Sequence, residues 1–350
     1  MVTINPGIVH NRMKFLDSLN CLLANFIYMK NVFKVLCASL LILISIPAFA
    51  QTGTTDFKVV DDYVKSVGPL DTLNAGTISF IITKKFPDPK DKVRAIFDWI
   101  AYNISYDLKA GRNNDNEKTS TDLVLKTRKA TAAGYAGLFQ DMCSVVKIRC
   151  LTVNGYAKFK TEQINEQPDE FNHTWAVVQL GTSPDTWFYV DPTWGSGYTD
   201  EKFTKYTKAY NDDYFFADKT IFNYQHYPDN TAWQLEDGPK NLSSFLSLPL
   251  IKDAAYQIKI NKFTPKEGSL KTSTKNAVAF RINLATRTPI EIVSLEIGEG
   301  KKMKVKTVDH TLSGGNLSFS YKFEEEDTYP VTVLINNKPV LGYLIEVSEE

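Results

Sequence analysis

The sequence predicts an α+β fold in which a helix packs on an antiparallel sheet, followed by an all-β sandwich domain. Apolar residues recur at helical spacing in "VRAIFDWIAYNI". Two segments rich in β-branched and aromatic residues, "HTWAVVQL" and "TWFYVDPTW", flank the polar "GTSPD", which is typical of a hairpin. From Ala254 onward, segments such as "AVAFRINL" and "YPVTVLIN" alternate in strand fashion between turn residues. This order, helix then hairpin then many strands, is the basis of the prediction.

The first 50 residues are set aside because they predict an export signal. From Met29, "MKNVFKVLCASLLILISIPAFAQ" has a basic start, an apolar run and an Ala-Phe-Ala cleavage site. The apolar run is about a dozen residues, short of the ~20 that span a bilayer. We therefore expect residues 1–28 to be an upstream extension, cleavage after Ala50, a secreted or periplasmic protein and no stable membrane span afterwards.

The charge balance argues against polyelectrolyte partners. Lys plus Arg and Asp plus Glu both number 40, so the net charge is zero. No basic excess indicates a nucleic-acid partner, and no acidic tail is present.

Cysteine and histidine usage predicts neither a disulfide nor a metal site. Cys143 falls on an apolar helix face and Cys150 opens a strand, so both are interpreted as small buried hydrophobes, although export would permit their pairing. His173, His226 and His310 are far apart and lack ligand-like spacing. We expect no metal and no cofactor.

Three regions follow the export signal in this interpretation: a first domain over 51–240, a linker over 241–253, and the sandwich domain over 254–350. Residues 56–85 are expected to be partly helical. Asp88 and Pro89 mark the start of the next helix, and 109–122 is expected to be a surface loop. A further helix begins near Ala132, capped by Thr131, and ends near Lys147. The segment "CLTVNGYAKF" predicts a strand with a break at its glycine.

Three positions suggest the remains of a nucleophilic site. Ala132 opens a helix, where the dipole would lower the pKa of a thiol. His173 starts one strand and Asp191 ends the next, so folding the hairpin brings them within about two residues of register. A histidine that takes a proton and an acid that orients it are two of the three parts of a Cys-His-Asp arrangement.

Five ordered blocks resemble the transglutaminase-like superfamily over roughly residues 60–235. They are most similar to the kyphoscoliosis-peptidase and cytokinesis-protein branch, whose core reads R-x-G-V-C-x-G-Y-A, then N-H-x-W, then V-D-P-T-W-G. The matching positions are Arg128, Gly134, Tyr135, Ala136, Asn172, His173, Trp175 and Asp191 to Gly195. The resemblance implies a papain-like cysteine-protease core, with His173 as general base and Asp191 as orienting acid.

The departure from the pattern falls on the nucleophile, because the family's Cys corresponds to Ala132. Thr131 is one residue off, and Cys143 lies three turns along the helix, roughly 16 Å away. An engineered Cys-to-Ala change is one explanation. The differences at Ala130 and Thr131, and the retained leader, favour a natural inactive member.

Three functions remain open from the sequence. The favoured one is a pseudoenzyme that binds a peptide, protein or cell-surface polymer in the ancestral cleft, with Trp175, Trp194 and Tyr135 as cleft-binding residues. The second is an active hydrolase or acyl transferase with an unrecognised nucleophile. The third is a structural or adhesion protein that binds through its β-sandwich.

Overall fold

The computed structural model describes residues 56–113, 120–200, 203–285 and 289–349. The predicted export signal lies outside them. Residues Asp56–Glu350 form one compact unit. Within the described ranges, no helix combines the length and the apolar character needed to cross a bilayer.

Helices and two short strands make up the first part of the unit. The helices are α1 Lys58–Val67, α2 Ala75–Thr83, α3 Pro89–Asn103, α4 Leu108–Arg112, α5 Thr121–Thr127 and α6 Ala132–Val145. Strands β1 Ser105–Tyr106 and β2 Lys129–Ala130 pair in parallel just before α6. Asp88 caps α3 by accepting a hydrogen bond from the Lys90 amide, as its position before Pro89 predicts.

Three local expectations need correction. Residues 109–122 are not one loop, because Asp107 caps α4 and Ser120 caps α5; only 114–119 lie outside the described residues. Thr131 occupies the N-cap of α6, but its side chain makes no capping hydrogen bond. Helix α6 ends at Val145, because the amides of Val146 and Lys147 already bond back to Cys143 and Ser144 in tight turns.

A four-stranded antiparallel sheet carries the site. Its strands are β3 Arg149–Ala157, β4 His173–Gln179, β5 Trp187–Val190 and β8 His226–Pro228, in the order β5-β4-β3-β8. The predicted hairpin pairs Gln179 with Trp187 and Ala176 with Val190. Strand β3 runs through Gly155 without the expected break. A Cβ at Gly155 would lie 2.3 Å from the Tyr227 carbonyl oxygen and 2.5 Å from the Trp175 ring, so the glycine permits close packing.

The described residues between β5 and β8 form short elements, among them β6 Gly197–Thr199, β7 Tyr206–Lys208 and helix α7 Lys219–Gln225.

The all-β region follows, as predicted, and forms two sheets. Its strands are β9 Leu250–Ile251, β10 Ile260–Thr264, β11 Ser269–Ser273, β12 Ala277–Leu284, β13 Val293–Ile297, β14 Lys304–Thr307, β15 His310–Ser313, β16 Asn316–Lys322, β17 Asp327–Ile335 and β18 Lys338–Ser348. One sheet has the order β10-β12-β16-β15, and the other has the order β11-β18-β17-β13-β14, with β9 paired to β18. Rings of Phe280 and Tyr343 meet between the sheets at 5.3 Å.

Two segments near the start of this region differ from expectation. Residues 241–253, expected as a linker, contain helix α8 Leu242–Leu246 and strand β9. The start of "YQIKINKF" belongs to helix α9, Ala254–Ile258, because Lys259 turns the chain with a positive φ before β10 begins. Contacts with strands distant in the sequence, rather than a local sequence pattern, determine the structure of both segments.

The sheet β5-β4-β3-β8 buries both faces. Ala176, Val178 and Val190 join the helices in one apolar cluster. Trp175 and Tyr189 point the other way and join a cluster that extends through the C-terminal sheets. The sheet therefore lies between the helical layer and the all-β region.

Candidate functional site

His173 and Asp191 are in direct contact, at the offset that the hairpin register predicts. The Nε2 atom of His173 lies 2.6 Å from Asp191 Oδ2, and both side chains are buried. The other carboxylate oxygen, Oδ1, accepts hydrogen bonds from the Thr193 and Trp194 amides at 2.9 and 3.0 Å. Asp191 is thus fixed on both oxygens, and Nδ1 of His173 is the ring nitrogen left for a ligand.

A second histidine, His226, joins this pair, and the sequence analysis did not anticipate it. Its Nε2 lies 3.3 Å from the same Asp191 oxygen. His226 opens β8, which pairs with β3 on the side opposite β4. The separation of 53 positions between His173 and His226 hides this proximity, and only an assignment of β8 would have revealed it.

Burial and charge act in opposite directions on these groups. Burial alone would raise the pKa of Asp191, but His173 and then His226 hold it well below its usual range. Burial lowers the pKa of His226 to about 4, and Asp191 offsets only part of that effect. The cluster therefore favours an ionised Asp191 beside a neutral His226.

Aromatic rings enclose the cluster. The His226 ring stacks on Phe222 at 3.9 Å between centroids and lies 4.5 Å from the Trp194 ring. Trp175 lies 5.2 Å from His226 and 6.1 Å from His173. These rings restrict water around the charged groups.

Ala132 is the first residue of α6 and carries no reactive group. Its neighbour Thr131 is buried, and the Thr131 hydroxyl oxygen has no hydrogen-bond partner among the described residues. Cys143 lies fully buried in the same helix, and burial raises the pKa of its thiol well above the ordinary value. Cys143 and Cys150 are both free and buried, as expected for small hydrophobes.

Ala132 and His173 border one large cavity of about 1340 Å³. Trp194 and Phe159 form part of its wall, with ring centroids 5.8 Å apart. Another part of the wall comes from Leu250, Ile251, Lys252, Asp253 and Gln257. The cavity therefore lies between the first part of the unit and the start of the all-β region.

Two of the three residues expected to bind a ligand do not border this cavity. Trp175 is fully buried because Gly155 leaves room for its ring inside the sheet. Tyr135 is also fully buried, and its hydroxyl donates to the Ile104 carbonyl at 2.9 Å and accepts from Ser196 Oγ at 3.0 Å. Trp194 alone of the three is partly exposed at the cavity wall.

Comparison with known proteins assigns the class. Residues 77–192 match the sequence model of the transglutaminase-like superfamily. Mouse kyphoscoliosis peptidase is 35% identical over 200 residues, which cover 57% of this chain and 29% of the mouse protein. Human kyphoscoliosis peptidase is 33% identical over 217 residues, or 62% of this chain and 32% of that protein. Hillarin of Drosophila melanogaster is 25% identical over 219 residues, which cover 59% of this chain and 26% of hillarin.

The chain carries a transglutaminase-like domain. Around this domain the chain is similar in sequence to kyphoscoliosis peptidase and hillarin. The matches span about a third or less of the length of these relatives.

Proposed function

We propose that this chain is an exported, non-catalytic transglutaminase-like protein that binds an extended peptide or cell-surface polymer in the cavity beside His173. The observation that carries the proposal is Ala132. The helix start that borders the cavity beside the His173–Asp191 pair offers a methyl group in place of a nucleophile. Without a thiol or hydroxyl at this position, acyl transfer has no first step.

The cavity suits a chain-like ligand. Its volume of about 1340 Å³ exceeds the roughly 300–1,000 Å³ typical of small-molecule pockets. Its walls combine aromatic rings with polar groups, including Asn172 and Gln163. Because His173 Nε2 donates to Asp191, Nδ1 would accept one hydrogen bond from a backbone amide or a sugar hydroxyl.

The alternative of a replacement nucleophile receives no support from the two candidates on α6 and its N-cap. Thr131 is buried at the N-cap, and Cys143 is fully buried with a raised pKa. Neither borders the cavity. Export rests on the sequence of residues 29–50, which lies outside the described residues.

The test is selection of ligands from a random peptide library displayed on phage, using the full chain as bait. Trp194→Ala should weaken binding of a selected peptide by at least about tenfold, because the ring forms part of the cavity wall and aromatic anchors dominate such contacts. Trp233→Ala is the matched control, since Trp233 packs on Trp187 at 5.2 Å and does not border the cavity.

Mass spectrometry of the bound peptide distinguishes binding from turnover. We expect the peptide to be recovered intact after prolonged incubation. Cleavage or amine exchange that disappears in His173→Gln would instead establish an active enzyme. Failure of Trp194→Ala to change affinity would place the binding surface elsewhere.

A further inference from the structure

We propose that His173, Asp191 and His226 bind a divalent first-row transition-metal ion. Each residue offers one ligand atom, and the three atoms lie within 4.8 Å of one another. All three side chains are buried. Two imidazoles and one carboxylate form a donor set that suits zinc, cobalt and iron(II). This inference is independent of the proposed peptide ligand.

His226 supplies the main argument. Its ring faces only Asp191 and the Phe222 backbone as polar partners, and neither ring nitrogen makes a well-aligned hydrogen bond among the described residues, although the residue is 1% exposed. A buried polar group without a partner costs free energy that the fold must offset. Its Nε2 nevertheless lies 3.3 Å from Asp191 Oδ2. An ion held jointly by these two atoms would remove the cost.

The distances lie near those of a coordination shell, with all three ligand atoms within 4.8 Å of one another. Zinc–nitrogen and zinc–oxygen bonds of about 2.1 Å at tetrahedral angles place neighbouring ligand atoms about 3.4 Å apart. The His226 to Asp191 distance of 3.3 Å already matches. The 2.6 Å hydrogen bond from His173 would have to open, and its proton would have to leave Nε2, so that the neutral ring carries its one proton on Nδ1.

The surroundings hold the ligands in place as an outer shell would. The Thr193 and Trp194 amides hold Asp191 Oδ1, which leaves Oδ2 directed to both histidines. The His226 ring is fixed between Phe222 and Trp194. Such outer contacts typically change metal affinity by about 10- to 100-fold. Three protein ligands leave one tetrahedral position for water.

Metal binding would also set the state of His173. Coordination through Nε2 requires the other ring nitrogen, Nδ1, to carry the proton of the neutral imidazole. Nδ1 would then be a donor for a ligand in the cavity. The metal would act here by orienting a binding group.

The experiment uses the full chain without a polyhistidine tag, stripped with a chelator and titrated with cobalt(II). We expect visible absorption bands of a low-coordinate site that saturate at one equivalent, and one equivalent of zinc retained after dialysis. His226→Gln should weaken cobalt binding by more than about 100-fold, since it removes a ligand rather than an outer contact. His310→Gln is the control, because His310 lies in β15, away from the cluster.

Nitrogen-15 shifts of the histidine rings in the unaltered chain provide a second measurement that does not depend on the variant folding. Zinc should shift Nε2 of both His173 and His226. The proposal is overturned if the unaltered chain retains no zinc or cobalt, if His226→Gln binds as tightly as the unaltered chain, or if the shifted nitrogens belong to other histidines.

Discussion

The Tyr214 hydroxyl donates a 2.6 Å hydrogen bond to Asp253 Oδ1, while the carbonyl of the same tyrosine accepts from the Asp191 amide at 3.0 Å. One residue thus connects the backbone of Asp191 to the segment that leads into the all-β region. Tyr214 is 1% exposed, so its hydroxyl exchanges little with water.

Removing that hydroxyl should cost stability and loosen the site. We expect Tyr214→Phe to lower the free energy of unfolding by about 1–3 kcal/mol, because Asp253 loses a buried partner. Urea unfolding of the full chain measures this change in the free energy of unfolding. Tyr198→Phe, at a residue 63% exposed, should change stability by less than about 0.5 kcal/mol. Equal effects for the two variants would contradict the role given to Tyr214.

The all-β region and the site share one apolar cluster, which predicts cooperative unfolding. Tyr224 contacts Phe263 at 5.4 Å, and the Tyr256 hydroxyl donates to Gln225 at 2.8 Å. We expect a single thermal transition by calorimetry and by near-ultraviolet circular dichroism. A chain cut after residue 253 should aggregate or lack fixed tertiary structure, since it exposes the shared cluster. Two separate transitions would show independent domains and contradict this prediction.

Restoring a thiol at position 132 tests whether the helix start still activates one. In Ala132→Cys we expect the rate of iodoacetamide labelling to rise with pH around a midpoint below about 8.5, the ordinary pKa of a cysteine thiol. The reason is that the α6 N-terminus and His173 favour the thiolate. In the double variant Ala132→Cys, His173→Gln, the pH midpoint of labelling should be higher than in Ala132→Cys alone. Ser66→Cys, exposed near the end of α1, is the reference thiol.

The native cysteines should remain silent in that assay because both are buried. A thiol at 132 that titrates no lower than the reference, or never reacts, would mean that the remainder of the site no longer supports activation.

Substituting alanine for Gly155 and for Gly137 should have opposite effects on stability, because only Gly155 lies in a closely packed position. Gly155→Ala places a Cβ 2.3 Å from the Tyr227 carbonyl oxygen and should destabilise the fold by about 1–3 kcal/mol. Gly137→Ala, inside α6, meets nothing within 4 Å and should stabilise it by about 0.5–1 kcal/mol. Denaturant midpoints of the two variants check the signs. A neutral Gly155→Ala would mean that β3 and β8 separate easily.

The raised pKa of Asp213 predicts that the free energy of unfolding depends on pH. Burial, with the Asp212 and Asp253 charges, raises its pKa from 3.8 to about 6. Between these values the folded chain binds more protons than the unfolded chain, so this group's contribution falls as pH rises. Asp213→Asn should therefore gain stability relative to the unaltered chain from pH 4 to pH 6. The exposed Asp237→Asn should show no such trend.

Features encoded by short-range pattern could be predicted from the sequence. The α3 start at Asp88 and Pro89, the hairpin of β4 and β5, and the His173–Asp191 contact depend on spacing within about 20 residues. The strands at 277–284 and 327–335 alternate clearly enough to be assigned.

Features created by distant chain segments could not be predicted. His226 meets Asp191 only because β8 pairs with β3. Leu250 and Ile251 form a strand only because β18 offers an edge. Trp175 is withdrawn from the cavity because Gly155 lacks a side chain. None of these depends on a local pattern, so local propensity gives no signal for them.

The position of β18 has a consequence for the order of synthesis. Residues 338–348 pair with β11 on one side and β17 on the other, and they also hold β9. The ribosome synthesises β18 after all three of the strands with which it pairs. The larger sheet therefore cannot close before β18 has been synthesised, and apolar surface beneath the site stays uncovered until then. Chaperone dependence should accordingly concentrate in the interval between translation of β9 and release of β18.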